Sequence, residues 1–136
     1  MNLGVIGNGF VGSALIGGFS LSVDSVFVFD KDERLCNCSL YNLTNKSNIV
    51  FLCLPTPMDK NGACDVQIIE TVLGDIEQFK LNLENKIFVV KSTVPPGTTA
   101  ALQNKYPQIN FVFNPEFLTE RTARLDFINT SRIVLG

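Results

Sequence analysis

Leu3-Gly4-Val5-Ile6-Gly7-Asn8-Gly9-Phe10-Val11-Gly12 opens the chain with an apolar run that stops in Gly-x-Gly-x-x-Gly. An amphipathic stretch follows at once, with Val11, Ala14, Leu15, Gly18 and Phe19 recurring at intervals of three and four. A buried strand, a tight turn and a helix N-terminus in that order form a cradle for a pyrophosphate. Gly7 suits the sharp turn, Gly9 the close approach of phosphate to main chain, and Gly12 close helix–strand packing.

Working outward, Val26-Phe27-Val28-Phe29 is a second β-prone run and ends abruptly at Asp30, 18 positions after Gly12. An acidic residue at that distance hydrogen-bonds adenosine ribose hydroxyls in dinucleotide domains, and a carboxylate there repels a 2′-phosphate, favouring NAD over NADP. Lys31 beside it weakens that preference. The polar stretch 31–48 leaves room for a short helix around Asp32–Leu40. Ile49–Leu54 reads as the next strand and runs into Pro55-Thr56-Pro57, which ends both pairing and helical geometry. After a turn-rich loop, Asp65 is a plausible helix N-cap, and Val66, Ile69, Val72, Leu73, Ile76 and Phe79 give a helical face. Ile87-Phe88-Val89-Val90 is a fourth strand, residues 98–106 a helix stopped by Pro107, and Phe111-Val112-Phe113 a fifth strand. Residues 116–125 read as a loop or short helix, and Ile133-Val134-Leu135 as a sixth strand.

Strands alternating with helical stretches predict a single α/β domain over residues 1–136. The fold is Rossmann-type, a doubly wound, mainly parallel six-stranded sheet with helices on both faces. Ligands of such sheets bind beyond the carboxyl ends of the strands. The unusual polar or proline-rich segments all follow strands on that side: the glycine turn, Asp30, Pro55-Thr56-Pro57, Ser92-Thr93 and Asn114-Pro115-Glu116.

Composition excludes several classes. A hydrophobic content of 46% with 18% charged residues describes a folded protein, and a net charge of -2 without a basic block argues against nucleic acid. No run is long enough to span a membrane, and residues after Met1 lack a signal-peptide pattern, so a cytoplasmic location is expected. Cys36-x-Cys38 is too tight for a metal or redox pair, and the chain has no histidine, so no metal site is expected. Cys53 reads as a core residue and Cys64 as a loop residue. The absence of histidine also removes Ser-His and Cys-His catalysis.

Gly7-Asn8-Gly9-Phe10-Val11-Gly12, Pro55-Thr56-Pro57, Lys91-Ser92-Thr93-Val94-Pro95-Pro96-Gly97-Thr98 and Asn114-Pro115-Glu116-Phe117-Leu118-Thr119-Glu120 together resemble the UDP-glucose/GDP-mannose dehydrogenase family. The resemblance covers nearly the whole chain but only that family's N-terminal domain. It implies NAD as cofactor, a nucleotide-sugar substrate such as UDP-glucose, and oxidation of the sugar C6 alcohol to a carboxylate through a cysteine thioester. It places Thr93, Glu116 and Glu120 at the reacting centre, with Glu116 as the acid/base group, and Phe117 and Leu118 against the sugar. It brings Leu54, Pro55, Thr56, Ser92, Thr93 and Glu120 to the cofactor, beside Gly7 to Gly12, Asp30 and Lys31. A homodimer is compatible with it.

Three departures from the family pattern carry expectations. The family's nucleophilic cysteine belongs to a segment after residue 136, so this chain alone is expected to bind NAD without turnover; a stand-alone module without chemistry is the alternative. Residues 31–48 are too few for an additional strand and helix, which predicts strand order 2-1-3-4-5-6. Arg121 stands where the family has glycine. If a second domain completes the protein, apolar surface is expected near the C-terminal strand.

Overall fold

A computed structural model describes residues 1–136. Five parallel strands form one sheet: β1 (Asn2–Ile6), β2 (Ser25–Phe29), β3 (Ile49–Leu52), β4 (Ile87–Val90) and β5 (Asn110–Phe113), in spatial order β2-β1-β3-β4-β5. Helices α1 (Phe10–Phe19), α2 (Leu40–Lys46), α3 (Gln67–Gln78), α4 (Thr98–Lys105) and α5 (Ala123–Ile128) supply the covering layers. The strands are short and apolar throughout because both faces of the sheet are covered.

Side-chain alternation along each strand divides the core. Val50, Leu52, Phe88 and Val90 point into the larger cluster, with Leu43 of α2, Ile69, Leu73 and Ile76 of α3, and Leu102 of α4. Leu3, Phe51 and Val89 point the other way, against Leu15 of α1, with Phe19 and Phe127 packed at the margin. Burying each of these large side chains contributes about 1.5–3 kcal/mol. Phe19 stacks on Phe51 and meets the edge of Phe127, centroids 6.0 and 5.5 Å apart, which seats α5 on α1.

The expected sixth strand is absent. Residues 133–135 have no regular structure and are exposed, and only Gly136 exchanges main-chain hydrogen bonds with Phe113, at 2.6 and 2.9 Å. A second contact, from Asn114 Nδ2 to the Val134 carbonyl at 2.8 Å, holds this segment against the β5 exit without forming a ladder. The apolar triplet therefore carries strand propensity but lacks a partner in register. The strand order is otherwise the expected one: β3 lies directly beside β1, because the β2–β3 connection holds one helix and one 3-10 turn.

Smaller boundaries moved as well. The helix sought near Asp32–Leu40 is a 3-10 turn at Glu33–Leu35 followed by α2, whose N-cap Ser39 accepts from Asn42 N at 3.2 Å. Helix α3 begins at Gln67, so Asp65 lies one place before the cap residue, yet its carboxylate still accepts the Gln67 N–H at 2.8 Å. Strand β3 stops at Leu52, leaving Cys53 and Leu54 in the exit loop. No helix is long and apolar enough to cross a membrane.

Candidate functional site

The chain turns to opposite sides of β1 after β1 and after β2, so β1 and β3 flank a topological switch point. A cavity of about 710 Å³ opens there, at the carboxyl ends of the strands.

Its floor is the glycine turn. Gly7 has φ +94, a conformation that a side chain disfavours, and a Cβ there would lie 2.3 Å from the Cys53 carbonyl oxygen. A Cβ on Gly12 would lie 2.0 Å from the Gly7 carbonyl oxygen, so helix α1 can start this close to the turn only without a side chain at that position. Gly9 differs: nothing lies within 4 Å of its virtual Cβ. The protein does not use that space, which faces the cavity over the N-terminus of α1. No side chain caps this helix, so its first N–H groups and the positive end of its dipole stay available to an anion.

The β2 exit supplies one wall. Asp30 Oδ2 accepts the Asn8 N–H at 2.7 Å and Oδ1 the Asp32 N–H at 2.9 Å. The Cys36 thiol bridges the Asp30 main chain, accepting from its N–H at 3.0 Å and donating to its carbonyl at 3.1 Å. Asp32 holds Arg34 in a fork, with Nε and Nη2 at 2.9 and 2.6 Å, and this guanidinium keeps the Asp32 carboxyl below the usual range. Lys31 and Leu35 complete the rim.

The β3 and β4 exits are tied together on the opposite side. Ser92 Oγ accepts from Leu54 N at 3.0 Å and donates to the Leu52 carbonyl at 3.2 Å, while Thr56 Oγ1 donates to the Thr93 carbonyl at 2.6 Å. Thr93 itself is exposed to the cavity. Cys53 also lines it, and burial pushes its thiol up to about 12, against a smaller opposing pull from Lys91.

Glu116 comes from the β5 exit. Its Oε2 lies 2.5 Å from Lys91 Nζ, the two side chains being only 15% and 4% exposed. This oxygen is sealed from solvent and meets the ammonium as a charge contact, not as an aligned hydrogen bond. Oε1 accepts the Phe117 N–H at 2.9 Å, and Lys91 Nζ also donates to Asn114 Oδ1 at 3.0 Å.

Most of the residues singled out from sequence thus share one cavity: Gly7 to Val11, Asp30 and Lys31, Leu54 to Thr56, Ser92 and Thr93, and Glu116 with Leu118. Three lie elsewhere. Gly12 is beneath the turn. Phe117 faces outward, 59% exposed, with the Arg132 guanidinium 5.5 Å from its ring centre. Glu120 lines a separate, shallow pocket of about 290 Å³ with Phe10, Ser13 and Arg121. Sequence reasoning missed Lys91, Ile68 and Val72, which also face the cavity. Ile68 carried a signal, being a large apolar residue off the core stripe of α3; Lys91 heads the family stretch Lys91–Thr98, but nothing in the sequence marked it as buried or paired.

Fold and cavity define a dinucleotide-binding α/β domain. The profile of the UDP-glucose/GDP-mannose dehydrogenase family, NAD binding domain, matches residues 35–136, and the chain belongs to this family. It is 40% identical over 93 residues to UDP-glucose 6-dehydrogenase of Campylobacter jejuni, covering 65% of this chain and 23% of that protein. It is 27% identical to UDP-glucose 6-dehydrogenase AglM of Haloferax volcanii, covering 100% of this chain and 41% of that one. That alignment runs over 175 positions, so the relative carries residues absent from these 136. The fold superposes on GDP-mannose dehydrogenase of Pseudomonas aeruginosa with a TM-score of 0.84 at 24% identity, covering 100% of this chain and 41% of that one. The chain therefore spans well under half the length of these relatives.

Proposed function

We propose that this chain binds NAD and forms the cofactor half of a nucleotide-sugar 6-dehydrogenase acting on UDP-glucose or a close relative. The observation that carries this reading is the single cavity joining the glycine turn, Asp30, Thr93 and Glu116. The residues fit the cofactor: the space over Gly9 and the uncapped start of α1 receive the pyrophosphate, and Asp30 receives the adenosine ribose. That fixes the adenosine on the β2 side and directs the nicotinamide toward the β4 and β5 exits.

NAD, when bound, supplies the hydride acceptor. The protein's own contribution is to orient the sugar with Thr93 and the main chain around Leu118, and to move protons at the Glu116 carboxylate. We assign that role to Glu116 and not to Glu120, because only Glu116 lines the cavity.

Complete oxidation calls for a nucleophilic thiolate, and no cysteine here fits. Cys53 is the cysteine within the cavity wall, and a thiol pushed up to about 12 stays protonated at neutral pH. The chain as given is accordingly proposed to bind NAD without turnover, and to act with a second domain. Exposed Leu125, Ile128, Ile133 and Leu135 support an apolar contact on that side.

Calorimetric titration with NAD, NADP and UDP-glucose tests this proposal. NAD binding stronger than NADP binding, without NADH production from UDP-glucose, is expected. No NAD binding overturns the cofactor reading, and turnover by the 136-residue chain overturns the need for a second domain.

A further inference from the structure

Lys91 and Glu116 are the two opposite charges buried at one end of the cavity. Lys91 is 4% exposed and is held from two sides, by Glu116 Oε2 at 2.5 Å and by Asn114 Oδ1 at 3.0 Å. Asn114 is fixed in turn by its own Nδ2, which donates to the Val134 carbonyl. Glu116 is pinned through Oε1 by the Phe117 N–H. If Glu116 leaves, the Lys91 ammonium is stranded in a buried position, and if Lys91 leaves, the sealed Glu116 Oε2 loses its counter-charge. Two thiols stand on this side, Cys53 in the cavity wall, whose burial keeps it neutral at ordinary pH, and Cys64, whose Sγ donates to the Thr93 carbonyl at 3.5 Å. Asp30, Lys31 and Asp32 line the cavity at the β2 exit, on the far side of the glycine turn.

A nicotinamide ring differs in charge between its two oxidation states: it is cationic in NAD+ and neutral in NADH. Any fixed charge near the ring therefore favours one state over the other, and low local dielectric strengthens the effect. Resting on the reading of the cavity given above, which directs the nicotinamide to the β4 and β5 exits, we propose that the Lys91–Glu116 pair sets the relative affinity for NAD+ and NADH. The carboxylate offsets a buried ammonium that would otherwise repel the oxidised cofactor. Lys91 in turn keeps Glu116 from trapping the oxidised form. The pair as a whole is neutral, so the site neither holds NAD+ too tightly nor expels it.

The signature is a change of sign. Titration of the 136-residue chain with NAD+ and with NADH at pH 8 gives the reference affinity ratio. Glu116→Gln leaves the Lys91 charge unopposed, and the ratio shifts at least about tenfold toward NADH, the effect of one unit charge about 12 Å away at an effective dielectric constant of about 20. Lys91→Met leaves the carboxylate unopposed, and the ratio shifts by a similar factor toward NAD+. The double variant is neutral again and returns to the wild-type ratio. A purely structural role would weaken both cofactors together and leave the ratio in place.

Glu116→Gln preserves size and lets Lys91 keep Asn114, so this variant decides the matter even where Lys91→Met does not fold. An unmoved ratio in Glu116→Gln, with both cofactors still bound, overturns this inference alone. So does a shift of both single variants in the same direction. Failure of the wild-type chain to bind either cofactor overturns the NAD reading, and this inference with it.

Discussion

The carboxylate of Asp30 accepts the main-chain N–H of Asn8 at 2.7 Å, joining the exit of β2 to the glycine turn after β1. Asp30 therefore has two duties: it faces the cavity where a ribose is expected, and it fixes the turn that forms the cavity floor. Each oxygen still has a lone pair free, because a carboxylate can accept about four hydrogen bonds and this one accepts two from main chain.

Asp30→Ala removes both the proposed ribose acceptor and the clamp on the turn. NAD affinity should fall by roughly ten- to a hundredfold, the equivalent of losing one or two charge-assisted hydrogen bonds. Asp30→Asn retains one accepting oxygen and should lose less. Calorimetry on the two variants checks this order, and an unchanged affinity in Asp30→Ala would remove the residue from the site.

Gly12 and Gly9 of the turn should separate fold from function. Gly12→Ala drives a methyl group onto the Gly7 carbonyl oxygen, a main-chain atom that cannot swing aside, and should destabilise the chain by about 1–3 kcal/mol or more. Gly9→Ala meets open space at ordinary φ and should cost no more than about 1 kcal/mol as a weaker N-cap. Urea denaturation should rank them in that order. NAD binding should nevertheless be lost in Gly9→Ala, because its methyl group occupies the space proposed for the pyrophosphate.

Breaking the Lys91–Glu116 pair should be costly for stability as well. Lys91→Met leaves the solvent-sealed Glu116 Oε2 without its counter-charge, at a cost of about 3–5 kcal/mol. Lys91→Met combined with Glu116→Gln should recover much of that loss, since no uncompensated charge remains. Urea midpoints of the two single variants and the double variant form the cycle that measures the coupling, and strict additivity would refute it.

Cys53 sets a limit at high pH. Its thiol is raised in the folded state, to about 12 from 9.0, so folding holds the proton more tightly than the unfolded chain does. The associated stability is fully present below the unfolded value and is lost as pH rises from about 9 toward 12. Cys53→Ala should flatten the fall in stability over that window, measured by urea denaturation at successive pH values. At pH 8 the native thiol should also resist iodoacetamide until the chain is unfolded.

Strand runs were legible because burial on both faces leaves near-continuous apolar tetrads such as Ile87–Val90, bounded by polar or proline-rich exits. The order of the first three strands was legible too, since the 31–48 connection is too short for an extra strand. Ile133–Leu135 misled because strand propensity reports a fitting side-chain pattern and says nothing of whether a partner edge is in register. Glu116 and Glu120 looked alike, four residues apart after a proline. The 3-10 turn at Glu120–Thr122, braced where Asp126 accepts from Thr119 and Thr122, puts Glu120 on the α1 side while Glu116 points into the cavity.

The parallel α/β architecture, the glycine turn and the sheet edge where the cavity opens could all be read from the chain alone. These follow from local rules of periodicity, turn chemistry and connection length. Only the tertiary structure decided that Asp30 clamps Asn8, that Lys91 is the buried partner of Glu116, and that Ile68 faces the cavity. Each of those depends on how far one strand exit stands from the next. That spacing is set by packing across the whole sheet, and no single stretch of chain encodes it.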